Sequence, residues 1–398
     1  MLSLAGDSCQ SAVSIVPLER STPHRKGKKG NMSDQFKRFA PRRISALAIV
    51  FATLAATPLK AQIALKSEEI SARFGIQGQL WANWAQDATG TVPGYTQNLY
   101  LRRLRVMAGG EIGNDLTFFI QTDSPNLGKT PKSPTGGFML QDAFLEWKTC
   151  NPLRIDGGLY VVPLSRNTLQ STTSYYTMDL SPLTTISNSS TQSAGLRDLG
   201  LGARGFFLKN KLQYRFGVFQ GERDENGRNA LRTSGYLQYD FGAPEMGYTF
   251  MGTALGKLRI LAIDAGFDAQ GSYHAESANI AADQPVFGGD EIGGQLQFFH
   301  YDGGNKFPAI HDQNDWFVEG AYYVHAIKLQ PFGRFEAQSF VASADAGSDL
   351  HRAGGGLNYY IHRQNLKWTA QYMRVLPPGG STLHNSNEIT LQLQVFYF

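Results

Sequence analysis

The sequence predicts an all-β fold, a single sixteen-stranded antiparallel transmembrane β-barrel with short periplasmic turns and longer external loops. Three observations carry that expectation. The last eleven residues, Glu388–Phe398, alternate apolar and polar side chains from Ile389 to Val395, and the chain then stops on Phe396-Tyr397-Phe398. A strand that spans a bilayer needs about 9–11 residues and favours aromatics at the headgroup level. Alternating segments of this kind recur along the chain, and their number is even. Tight turns and long polar loops take turns between them, as in single-chain barrels whose two termini lie on one side.

Composition agrees. The chain has 398 residues with 43 glycines, 12% aromatic and 18% charged residues, and its mean hydropathy is slightly negative. No apolar run approaches the roughly 18 residues of a membrane helix. That excludes a helical membrane protein but not a barrel, whose strands are only half apolar. The formal charge of +4 belongs to the N-terminus. The first 61 residues hold ten Lys/Arg and three Asp/Glu, which leaves 27 basic and 30 acidic residues beyond Ala61, a net charge of −3. No nucleic-acid footprint remains.

Taken in order, the chain opens with residues 1–31, which read as an over-extended start or disordered polar sequence. Residues 32–61 read as a signal peptide. Lys37-Arg38 and Arg42-Arg43 precede an apolar segment, Ile44–Ala56, too short to span, and Pro58 ends it before a cleavage site at Ala61–Gln62. Residues 62–398 form the barrel. Cys9 leaves with the leader, so Cys150 has no partner for a disulfide.

Sixteen strands are predicted: Ile70–Trp84, Asn98–Ile112, Leu116–Asp123, Phe138–Thr149, Leu153–Pro163, Asp198–Leu208, Leu212–Gln220, Ala230–Phe241, Gly256–Gly271, Ala275–Val286, Glu291–Tyr301, Asp315–His325, Lys328–Phe340, His351–Ile361, Leu366–Leu376 and Asn387–Phe398. Gly113-Asn114-Asp115, Cys150-Asn151-Pro152, Lys209-Asn210-Lys211, Ala326-Ile327 and Arg363-Gln364-Asn365 supply turn chemistry on one side. Gly242–Leu255 is long where a short turn is expected. Leu164–Arg197, after the fifth strand, is the longest loop, and loops of this length are uncommon unless functional or disordered. Two-face strands orient the charges. Leu153, Ile155, Leu159 and Val161 share one face, and Arg154, Asp156 and Tyr160 the other. An arginine on the lipid face at the midplane costs about 2–4 kcal/mol, so the charged faces are expected to point inward.

Several motifs resemble the phosphate-selective porin O and P family. They are Leu101-Arg102-Arg103-Leu104-Arg105-Val106, Gln141-Asp142-Ala143-Phe144-Leu145, and Ile155-Asp156-Gly157-Gly158-Leu159-Tyr160-Val161-Val162-Pro163-Leu164. Arg197-Asp198-Leu199-Gly200, Gly217-Val218-Phe219-Gln220-Gly221, Pro331-Phe332-Gly333-Arg334-Phe335-Glu336 and Gly355-Gly356-Leu357-Asn358-Tyr359-Tyr360 continue it in order. The resemblance implies a sixteen-stranded, usually trimeric pore of the bacterial outer membrane, with the loop after the fifth strand folded inward. The expected partners are the outer-membrane bilayer, small polar or anionic solutes and two further copies of the chain.

A pore needs no catalytic group and no cofactor; it needs wall groups that offset partial dehydration of the solute. The candidates for anion contact are Arg103, Arg105, Arg154, Arg204, Arg215, Arg232 and Arg334, since guanidinium stays charged and forks onto phosphate or carboxylate oxygens. In the long loop they are Arg166, Tyr175, Tyr176, Asp179 and Arg197. Asp142, Glu146, Asp156, Asp198, Asp240 and Glu336 share the arginine faces. Two readings stand: opposed rows that favour anions, or paired wall charges that only stiffen the barrel. A phosphate-specific site ranks below both, because Arg166 and Arg197 are the only basic residues of Leu164–Arg197. No metal site is expected, because His300, His311, His325, His351 and His362 lack ligand spacing along the chain. The expected function is passive diffusion of small hydrophilic, anionic solutes. The alternatives are a non-conducting structural or adhesive barrel and a membrane-embedded hydrolase.

Overall fold

The computed structural model describes residues 64–67, 69–129, 137–193, 195–342, 349–377, 379, 381 and 383–398. The leader and its cleavage site lie outside the described residues. Sixteen strands form the wall: β1 (Ile70–Gln86), β2 (Tyr95–Ile112), β3 (Leu116–Asp123), β4 (Met139–Cys150), β5 (Leu153–Val161), β6 (Arg197–Phe207), β7 (Leu212–Phe219), β8 (Arg232–Asp240), β9 (Ile260–Gln270), β10 (Tyr273–Pro285), β11 (Glu291–Asp302), β12 (Gln313–Tyr323), β13 (Leu329–Phe340), β14 (Leu350–His362), β15 (Leu366–Leu376) and β16 (Ser386–Tyr397). Each pairs antiparallel with the next, and β16 pairs with β1 from Tyr397↔Ile76 to Glu388↔Ala85, which closes the barrel. A three-residue strand, Ala64–Lys66, adds to the start of β1.

All sixteen predicted segments are strands. The largest boundary error is at β9, which starts at Ile260 rather than Gly256, so the anomalous connection grows to residues 241–259. One rim carries the other short turns, with Gly113, Lys209 and Asn210 at positive φ (61°, 58° and 69°), the backbone that hairpin turns of this kind require. The opposite rim carries the long loops, with one exception: Gly271-Ser272 joins β9 to β10 directly, with Gly271 at φ 63°.

The burial pattern is inverted relative to a water-soluble fold. Buried positions are largely polar, among them Gln77, Gln79, Asp142, Glu146, Gln238, Asp268, Gln297 and Gln392. Exposed positions are apolar, among them Leu99, Val106, Ile120, Leu145, Leu201, Ile280 and Leu296. All six carboxylates assigned to the inner faces are buried. Strand alternation splits the Tyr359-Tyr360 pair: Tyr359 is exposed on the outside, as is Trp368, while Tyr360 is buried within.

Phe396 and Phe398 fall out of phase with the apolar row Ile389, Leu391, Leu393 and Val395 of the last strand. Ile389, Leu391 and Val395 face outward, and Phe396 and Phe398 line a cavity inside the barrel. Phe398 meets Phe119 edge-on at 5.7 Å between ring centroids. Gly75 makes room for it; a Cβ there would lie 2.6 Å from the Phe398 ring.

Candidate functional site

The site starts from a defect in β2. Gln79 pairs with Arg103 but Leu80 pairs with Leu101, so Arg102 is an extra residue in the strand. Strict alternation would send Arg102 outward. The bulge re-aims it, which is a common use of such irregularities. Arg102 and Arg103 therefore converge on one carboxylate, Asp179 of the long loop. Arg103 Nη2 lies 2.5 Å from Asp179 Oδ1 and Arg102 Nη2 lies 2.8 Å from Oδ2. Burial would raise the Asp179 carboxyl, but the two guanidiniums outweigh it and hold the group well below the usual carboxylate range.

The neighbouring bonds tie the loop to the wall. Arg103 Nη1 donates to Gln79 Oε1 (2.7 Å), and Gln79 Nε2 donates to Gln394 Oε1 (2.8 Å) and Thr172 O (3.2 Å). Arg105 Nε donates to Asp123 Oδ2 (2.9 Å), and its Nη1 to Thr172 Oγ1 (3.2 Å). Gln394 Nε2 donates to Thr173 O (3.1 Å). On the far side of the loop, Asn358 Nδ2 donates to Tyr176 O (2.7 Å) and Thr177 Oγ1 to Glu319 Oε2 (3.2 Å). The loop thus bonds to strands on separated parts of the wall. Tyr175 is buried, and burial first of all raises its phenol. Tyr176 packs on Ala321 and Phe332. Most loop hydroxyls serve the loop itself: Ser165 and Thr168 form a reciprocal cap on the short helix α1 (Arg166–Leu169), and Thr191 bonds to Ser187 O. Other loop hydroxyls meet wall side chains: Thr172 meets Gln77 and Arg105, Thr177 meets Glu319, and Ser193 meets Arg232.

A second segment, residues 241–259, also turns inward, which sequence reasoning flagged only by its length. Phe250 N donates to Leu169 O (2.9 Å) and Ser171 N to Phe250 O (2.8 Å), a parallel bridge between the two inward segments. Arg166 forks onto Glu245 at 2.5 and 2.9 Å. Burial alone would lower the Arg166 guanidinium, but Glu245 overrides it and raises it. The same segment covers wall carboxylates. Ala254 N donates to Asp283 Oδ2 (2.7 Å), Gly256 N and Thr253 Oγ1 to Glu291 (2.6 and 2.5 Å), and Glu245 N to Asp240 Oδ2 (3.1 Å).

Two cavities flank the Thr172–Asp179 stretch. One, about 470 Å³, opens toward the short-turn rim and is lined by Arg73, Arg105, Arg197 and Arg204 beside Asp142 and Glu146. The other, about 420 Å³, lies toward the long-loop rim beside Arg102, Lys129, Asp179, Arg334 and Arg352. Both lie along β1 and β2.

The arginines named from the sequence all face inward, but they part company there. Arg105, Arg197 and Arg204 line the first cavity and Arg334 the second, and Arg103 lies between them. Arg154, Arg166, Arg215 and Arg232 line neither cavity. Most are paired: Arg154 and Arg204 with Glu146, Arg197 with Asp142 (3.1 Å), Arg232 with Asp268 (2.6 Å), Arg334 with Glu319 (2.5 Å). Arg215 instead donates to the backbone oxygens of Tyr248 (2.6 Å) and Gly247 (3.0 Å). Arg102 was missed because alternation assigns it to the outer face.

Comparison with known proteins agrees with this architecture. Residues 74–255 match the family model described as phosphate-selective porin O and P. The fold is similar to an anion-selective porin from Comamonas acidovorans (TM-score 0.56, 13% identity, 83% of this chain and 100% of that one). It is similar also to the outer membrane channel DcaP of Acinetobacter baumannii (0.56, 12%, 84% and 99%) and to OprB of Pseudomonas putida (0.57, 9%, 83% and 94%). No curated protein sequence gives a significant match.

Proposed function

We propose, on the premise that a barrel whose first half matches the phosphate-selective porin O and P family works as a member of it, that this protein is an outer-membrane porin passing small hydrophilic anions by diffusion. The inverted burial supports the membrane placement: apolar side chains cover the outside, where a midplane charge costs about 2–4 kcal/mol. In this reading the short-turn rim is periplasmic, the long-loop rim is external, and Leu164–Arg197 is the constriction loop. Homotrimeric assembly is part of the reading and is checked by crosslinking in detergent.

One observation carries the anion preference. Residues 241–259 bond Asp240, Asp283 and Glu291, so carboxylates on that wall are already partnered. The two cavities run instead along the β1–β2 wall, where Arg102 and Arg103 pair with Asp179 and Arg105 pairs with Asp123, three guanidiniums against two carboxylates. A narrow aqueous neck with low-dielectric walls focuses the field of that excess positive charge. Phosphate selectivity is not part of the proposal, because Arg166 is committed to Glu245 and Arg197 to Asp142. The test is reversal potential across a KCl gradient for the refolded protein in planar bilayers. Chloride preference that falls in Arg105→Ala supports the proposal, and cation selectivity refutes it.

A second reading draws on the same contacts. The two inward segments bond to each other and to opposite walls, which suits a barrel plugged by its own loops. A bilayer that stays closed at every voltage would favour it.

A further inference from the structure

Strand register assembles one more cluster, on the outside of the barrel near the long-loop rim. Tyr273 and Ala275 point inward and are buried, so His274 and Glu276 of β10 point outward. Glu276 sits directly opposite His300 of β11, and His300 directly opposite Asn314 of β12. Side chains directly opposite on one face of an antiparallel pair have Cβ atoms about 4.5–5.5 Å apart. The ligand atoms of His274, Glu276 and His300 accordingly all lie within 4.8 Å of one another. The imidazole rings of His274 and His300 are 5.8 Å apart between centroids.

We propose that His274, Glu276 and His300 form a binding site for a divalent transition ion of the zinc class, with one coordination position left open to the outside. Two imidazoles and a carboxylate are a donor set that suits Zn²⁺ and Cu²⁺ better than Mg²⁺ or Ca²⁺. Three features of the surroundings favour a built site over a chance grouping. His300 Nδ1 is 3.1 Å from Asn314 Oδ1. When Nδ1–H donates there, Nε2 carries the lone pair and the ring is oriented, as the outer partners of metal-bound histidines commonly do. Asp312 stands 3.9 Å from the same nitrogen and adds negative charge to the locality. Glu276 has no cation partner among the described residues, although outward-facing Phe267 lies directly opposite it and Phe298 is near by. A carboxylate at the edge of an apolar surface is poorly placed unless neutralised, and a dication does that. The ligands are also rigid by construction, since all three stand on hydrogen-bonded strands rather than loops.

The test uses untagged full-length protein, refolded in detergent and titrated with Co²⁺ alone, followed by Zn²⁺ competition. The expected result is one Co²⁺ per chain with a visible d–d absorption band that Zn²⁺ abolishes. His300→Ala and Glu276→Gln, both on the outer surface, should each weaken binding at least about tenfold, by the scale of losses seen when metal-site partners are removed. Retention of the heat-modifiable gel mobility of a folded barrel confirms that the variants are intact. The proposal is overturned if no band appears, or if folded His300→Ala and Glu276→Gln bind Co²⁺ with the affinity and stoichiometry of the parent.

Discussion

Replacing Asp179 with asparagine isolates the charge at the neck of the barrel. The change keeps the side chain's shape and removes one negative charge from between two guanidiniums, held at 2.5 and 2.8 Å. The local sum rises from one excess positive charge to two. An added unit charge about 7 Å from a passing ion is worth about 0.6 kcal/mol in a water-like dielectric and about 2.4 kcal/mol at an effective constant near 20. Screening over a Debye length of about 10 Å at 0.1 M salt roughly halves the lower figure. The attraction of an anion and the repulsion of a cation both change, so the permeability ratio shifts by about 0.6 kcal/mol or more, a factor of about three as a minimum. The assay is the zero-current potential in a KCl gradient, read on channels that open normally. An unchanged ratio at unchanged conductance would mean that ions do not pass Asp179, and the assignment of the neck would be wrong.

The same carboxylate gives a pH signature. Its folded-state value is depressed by Arg102 and Arg103 against the effect of burial, so its stabilisation is complete above the unfolded value of about 3.9 and is lost only as pH falls through the lowered value. The difference in thermal midpoint between the parent and Asp179→Asn should therefore be flat from about pH 7 to about pH 5 and shrink in stronger acid; a difference that fades near neutral pH contradicts the pairing. Arg166→Ala should cost about 3–5 kcal/mol in chemical denaturation, because it leaves the buried Glu245 carboxylate unpaired, and it should make open-channel current noisier as both inward segments loosen. Arg215→Ala should lower stability, since bonds to a charged donor are worth about 1.5–3 kcal/mol each, yet leave the permeability ratio alone; a changed ratio would place Arg215 on the ion path.

Strands were readable because a barrel wall with a wet inside and an oily outside writes period-two alternation along its length. That pattern located β10, whose small residues Ala275, Ala278, Ala281 and Ala282 carry little strand propensity of their own. Alternation fails where the backbone departs from it. The bulge at Arg102 adds one residue without any glycine or proline to mark it, so a charge that belongs to the neck reads as one that faces outward. The length of the 241–259 connection was visible, but its inward course depends on Arg166, Asp283 and Glu291, which lie far away in sequence. His274, Glu276 and His300 were invisible as a group for a similar reason: linear ligand spacing does not register partners brought together by strand pairing. The terminal aromatics showed their break of phase in the sequence, and the space at Gly75 explains it.

The seam between β16 and β1 also constrains the order of assembly. Gln79 and Gln394 are 315 positions apart, and from inside the barrel Thr172 O accepts from Gln79 and Thr173 O from Gln394. Closing so long a loop costs about 5 kcal/mol of chain entropy against about 3 kcal/mol for a 30-residue hairpin. Hairpins therefore zip first and the seam forms last. Leu164–Arg197 touches both edges of that seam, Gln79 on one and Gln394 on the other, so its contacts favour their junction. The loop acts as a clasp: it bonds both edges of the last seam to form, and a chain that lacks it should close its barrel more slowly.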